Sequence, residues 1–62
     1  MPTIRVELIE GRTPEQKKNL VKALTQAVVD TLGSKPEVVD VLLFDIKRTD
    51  WANAGVLFSE QK

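Results

Sequence analysis

Sixty-two residues with nine basic and nine acidic side chains, no cysteine and no histidine make at most one small domain, residues 1–62. The composition rules out disulfides. It also argues against a metal, because the usual nitrogen and sulfur ligands are missing and the carboxylates show no ligand spacing. Zero net charge argues against nucleic acid as a partner. No apolar run reaches the ~18 residues of a membrane span and no leader is evident, so the cytoplasm is the expected location and no membrane role is implied. A chain this short buries little surface alone and usually needs a staple or a partner. With 42% hydrophobic residues, apolar faces shared between copies are the expected solution.

Met1-Pro2 opens the chain. Initiator methionine is commonly trimmed before a small residue, which would leave Pro2 as a terminal secondary amine. A terminal amine titrates near pH ~8 unperturbed, and burial or nearby cations lower that value. In its neutral form it is a general base or a nucleophile. Retention of Met1 would cap the amine and block this chemistry.

Thr3 to Glu10 alternates, with Ile4, Val6 and Leu8 on one side and Arg5, Glu7 and the apolar exception Ile9 on the other; this predicts a strand with one buried and one mixed face. Gly11-Arg12 turns out of it. Thr13, Pro14 and Gln16 supply an N-cap, a first-turn proline and a T-x-x-Q capping box. Leu20, Leu24, Ala27, Val28 and Leu32 form a stripe at helical spacing, with Lys17, Lys18, Lys22 and Asp30 on solvated positions. Gly33 suits the C-terminal cap, so the helix is expected over residues 14–32.

Ser34 to Glu37 is the return loop. Val38 to Ile46 is apolar on both faces apart from its two aspartates, as a covered strand reads. Two strands joined by a long helix form a parallel, right-handed β-α-β unit. After the polar turn Lys47 to Asp50, residues 51–59 are expected as a short hairpin or an arm. The fold class is therefore α+β. Because two strands and one helix leave a sheet face open, the sheet is expected to be completed by dimerisation, with a higher symmetric assembly above the dimer.

The Met1-Pro2 start, the run Glu10-Gly11-Arg12-Thr13-Pro14-Glu15-Gln16-Lys17, the amphipathic helix to Gly33, the strand Val39 to Ile46 and Trp51 together resemble the tautomerase superfamily, in its small 4-oxalocrotonate tautomerase subgroup. The resemblance spans nearly the whole chain without an evident insertion. It implies a β-α-β fold with a C-terminal hairpin, assembled as a homohexamer (a trimer of dimers) with active sites shared between subunits. It further implies an isomerase without metal or organic cofactor, moving a proton on small 2-hydroxydienoates or enolised 2-oxo acids of the kind met in aromatic hydrocarbon catabolism. Pro2 matches the general base, Arg12 the anchor for a substrate carboxylate in a neighbouring subunit, and Trp51 the aromatic wall that keeps the site dry. Alternatives stay open for each: Arg12 also reads as a solvated turn charge, and Trp51 as core or interface filler.

Two positions depart from the family pattern. Asp40 stands where the best-known members carry a second substrate-binding arginine. An anion there would repel a dianionic substrate and raise the pKa of a nearby amine; equally, Asp40 reads as a solvated or ion-paired strand residue. Arg5, Lys47 and Arg48 are candidate replacement cations, and spacing selects none. Ala52-Asn53-Ala54-Gly55 carries less glycine than the family's usual stretch, which implies a stiffer turn. In the dehalogenase branch the water-activating groups match Ile9 and Asn53, neither suited to the task. The alternatives to an independent tautomerase are a related hydratase, dehalogenase or decarboxylase, or a non-catalytic partner subunit of a heterohexamer.

Overall fold

The computed structural model describes residues 2–61. Strand β1 (Thr3–Ile9) leads to helix α1 (Pro14–Leu32), a 3-10 turn (Pro36–Val38), strand β2 (Asp40–Ile46), a second 3-10 turn (Arg48–Asp50), the two short strands β3 (Ala52–Asn53) and β4 (Val56–Leu57), and a last 3-10 turn (Phe58–Glu60). β1 and β2 pair in parallel; β3 and β4 form an antiparallel hairpin.

The helix has the limits its caps predict. Thr13 is the N-cap, and its hydroxyl accepts from the Gln16 amide at 3.1 Å while the Gln16 side chain accepts from the Thr13 amide at 2.9 Å. Two otherwise unpaired donors are thereby satisfied. Gly33 ends the helix at φ 71°, and its amide bonds to the Val29 carbonyl, a left-handed conformation in which a glycine has no Cβ penalty.

The strands are shorter than the sequence suggests. Glu10 falls outside β1, although its amide still donates to the Ile46 carbonyl at 2.9 Å. β2 begins at Asp40 rather than Val38, because Pro36, with its fixed φ, starts a 3-10 turn through Val38 and the Val39 amide turns back to the Pro36 carbonyl.

Register then sorts the side chains. Ile4 lies beside Val41, Val6 beside Leu43, and Leu8 beside Asp45. This is the face under α1, because Lys17 of the helix bonds to Asp45. Lys17 is thus half-buried rather than solvated, with its stem along the sheet and its head on a carboxylate. Both partners keep substantial exposure, 30% and 43%, so the pair contributes at most about 1 kcal/mol. The half-buried stripe of α1 runs through Leu20, Val21, Leu24, Thr25, Val28 and Val29; Ala27 and Leu32 lie off it and are exposed.

Among the described residues no helix covers the opposite face. Thr3, Arg5, Glu7 and Ile9 lie beside Asp40, Leu42, Phe44 and Ile46, and Leu42 is 43% exposed. No side chain among the described residues is fully buried. A sheet covered on one side only leaves little apolar surface removed from water, which makes a chain of this size marginal by itself. Unfolding is therefore expected to be coupled to dissociation: the denaturant midpoint should rise with protomer concentration. A midpoint unchanged over a hundredfold range of concentration would mean that the single chain is stable by itself.

Candidate functional site

The parallel ladder divides the candidate residues into two groups. Pro2 precedes β1 and its carbonyl accepts from the Asp40 amide at 3.0 Å. Asp40, which pairs in register with Thr3, is therefore fixed next to Pro2 by backbone pairing. Its carboxylate lies on the uncovered face and is exposed. It makes no ion pair among the described residues, so the ion-paired reading of Asp40 does not hold within the chain. Met1, whose removal the chemistry of Pro2 requires, lies outside the described residues.

Arg12 and Trp51 are at the other end. Arg12 follows β1, and seven residues of strand at ~3.3 Å each separate it from Pro2 by roughly 20 Å. It lines a depression of about 200 Å³ with Leu8, Gln16, Lys17 and Leu20, on the helix side of the sheet. Gly11, at φ 117°, makes the turn that places it there, a backbone conformation open chiefly to glycine. Trp51 follows β2 and lines a separate depression of about 270 Å³ with Glu7, Ile46, Asp50 and Ala52, on the uncovered side. Within one chain, then, Pro2 and Asp40 come together while Arg12 and Trp51 touch neither.

Trp51 is held by the hairpin. Its ring lies 5.8 Å from that of Phe58, tilted by 45°, a favourable aromatic arrangement. Its carbonyl accepts from the Phe58 amide at 2.7 Å. Asn53 pairs with Val56, leaving Ala54 and Gly55 as a two-residue loop at φ 54° and 79°. Two positive φ values match the tight turn whose twist suits a hairpin. Glycine accepts this freely; alanine does so at a cost of about 1 kcal/mol.

Of the three candidate replacement cations, the structure separates one from the others. Lys47 and Arg48 lie beyond the end of β2, away from Pro2, and Arg48 donates to the Phe58 carbonyl at 3.4 Å. Arg5 shares the uncovered face with Asp40, and its guanidinium sits 4.8 Å from the centre of the Phe44 ring. The alternation of β1 puts Arg5 on this face, but which strand residue it meets depends on the β1–β2 register. Among the described residues no cluster of three acidic groups is arranged to hold a metal ion, and no helix is long and apolar enough to cross a membrane.

The chain matches known proteins over its length. The family model described as "Tautomerase enzyme" covers residues 2–61. A 2-hydroxymuconate tautomerase of Bacillus subtilis is 39% identical over 62 residues, the whole of both chains. The crystal structure of a 4-oxalocrotonate tautomerase homologue superposes with a TM-score of 0.91 at 44% identity, covering 100% of this chain and 98% of that one. A heterohexamer 4-oxalocrotonate tautomerase from Chloroflexus aurantiacus has a chain with a TM-score of 0.94 at 27% identity, covering all of both.

The hairpin loop supplies a test of the backbone reading. Ala54→Asn, better suited to a positive φ, is expected to stabilise the protein by about 0.5–1 kcal/mol, read as a higher denaturant midpoint at fixed protomer concentration. A lower midpoint would show that Ala54 is not held in the left-handed region.

Proposed function

The chain belongs to the tautomerase family, and on that premise we propose that it is a cofactor-independent isomerase acting on small 2-hydroxydienoates or enolised 2-oxo acids. The observation that carries the reading is the full-length likeness to an enzyme named for 2-hydroxymuconate, in a chain whose Pro2 stands at the head of β1. With Met1 removed, the Pro2 amine is the general base. It takes a proton from the substrate and returns it to another carbon. The charge that builds on the oxygen and carbon framework between these events needs a cation close by.

Arg12 suits that need through another copy. Its planar guanidinium can hold a carboxylate with two parallel hydrogen bonds, and the strand length that separates it from its own Pro2 favours a site assembled between subunits. Trp51, fixed against Phe58, would wall that site and exclude water, which strengthens the charge interactions inside it. A homohexamer is the assembly proposed, in the cytoplasm. The likeness to a chain of a heterohexamer, together with the anion at Asp40, supports as second reading a partner subunit whose missing groups come from another chain.

The test is turnover of 2-hydroxymuconate and phenylenolpyruvate by protein whose intact mass shows Met1 gone. Pro2→Ala is expected to lower kcat by about a hundredfold or more, the scale of a lost general base. Arg12→Gln should act mainly on KM for the dicarboxylate. Pro2→Ala equal to the parent would reject the mechanism. An inactive parent that gains activity on mixing with a paralogous chain would establish the second reading.

A further inference from the structure

We propose that Arg5 is the second carboxylate-binding residue, serving the Pro2 end of the site in place of a cation at position 40. This rests on the tautomerase reading and names how that site takes its substrate. Three observations support it. Arg5 lies on the same sheet face as Asp40 and one same-face step further along, since Thr3 pairs with Asp40 and Arg5 with Leu42. Three residues of strand put its backbone about 10 Å from Pro2, a gap that an arginine arm and a short acid span together. Among the described residues it has no carboxylate partner.

The last point is the informative one, because acids flank Arg5 on both sides. Asp40 is on the Pro2 side and Glu7 on the other, both on the uncovered face. An arginine between two carboxylates ordinarily bonds to one of them. Here its guanidinium is instead stacked on Phe44, 4.8 Å from the ring centre. Stacking on an aromatic face holds the guanidinium plane while leaving its N–H edge free. That edge is what a substrate carboxylate requires for two parallel hydrogen bonds.

Asp40 has the opposite influence on the same end. It is fixed beside Pro2 by its backbone hydrogen bond, and its charge opposes any carboxylate approaching Arg5. The end therefore accepts one carboxylate, drawn by Arg5, and rejects a second. The ligand class is a short acid with a single carboxylate at its reacting end; a carboxylate at the far end falls to Arg12 of a neighbouring copy.

Binding of fumarate, an unreactive acid, measured calorimetrically on the Met1-free protein separates this from the catalytic reading. Arg5→Gln is expected to weaken fumarate binding by roughly ten- to a hundredfold, the scale of a lost charge-assisted pair. Arg5→Lys should recover part of the loss, and Asp40→Asn should tighten binding. Sedimentation checks that the assembly is unchanged. Parental affinity in Arg5→Gln, no fumarate binding by the parent, or weaker binding in Asp40→Asn would each overturn the assignment. So would loss of the assembly in both Arg5 variants, which would make Arg5 a structural residue. Turnover by the parent that is abolished in Pro2→Ala would leave the catalytic reading standing in each of those cases.

Discussion

The uncovered face of the β1–β2 sheet is the constraint on which everything else depends. One helix can cover one side of two strands and no more. Ile4, Val6 and Leu8 with Val41 and Leu43 use up that cover, and Leu42, Phe44 and Ile46 remain on the other side. With no disulfide available and no side chain of the described residues fully buried, the chain is marginal by itself and contacts outside it are the expected source of further stability. On the proposed reading assembly is part of folding rather than an addition to it. A residue such as Arg5, placed among these apolar groups, is positioned by whatever covers them.

The same two strands set the distances of the chemistry. A parallel pair places the starts of both strands together and their ends together. Pro2 and Asp40 share one end; Arg12 and Trp51 follow from the other. On the proposed reading a small acid meets both a Pro2 amine and an Arg12 guanidinium where two copies bring opposite ends of their sheets together. Arg12 lies on the helix side of the sheet, so covering the open face and bringing an Arg12 to Pro2 are two separate requirements on the proposed assembly. A chain of this length can serve both needs because the strand length already exceeds the span of its proposed substrates.

Much of this was legible in the residues because it depended on local rules. Thr13, Pro14, Gln16 and Gly33 fix the helix ends by hydrogen bonds within a few residues, so the limits at Pro14 and Leu32 follow from sequence. The start of β2 did not, since the 3-10 turn at Pro36 competes with strand for the apolar Val38 and Val39, and pattern alone favours strand. Lys17 was misplaced for a related reason: helical spacing marks it as outward, but Asp45 on the facing strand draws it in. The Arg5–Phe44 contact depends on inter-strand register, which alternation does not reveal. Asp40 was recognised as a departure from the family pattern, yet only the backbone bond to Pro2 shows how near the two are.

For the proposed base, that backbone nearness poses an electrostatic problem. A base that must be neutral to act is disfavoured by an adjacent anion, which stabilises the protonated amine. Two groups offset this. A cation within reach of the same space acts against the ammonium form, and a dry wall makes every charge there more costly. In the proposed site Arg5 would supply a cation on the Asp40 face and Trp51 of a neighbouring copy a wall. In the isolated chain Arg5 is exposed, so its charge is weakened by water, and Trp51 lies at the far end of the sheet. On the proposed reading the basicity of a Pro2 amine would be a property of the assembly, where a cover over the open face would remove water from Asp40 and Arg5 together. Desolvation by itself strengthens the hold of Asp40 on a proton at Pro2 as much as it strengthens Arg5. In the proposed site a bound substrate carboxylate would offset part of the Arg5 charge, so the balance at Pro2 would be set before binding, where Arg5 faces Asp40 alone.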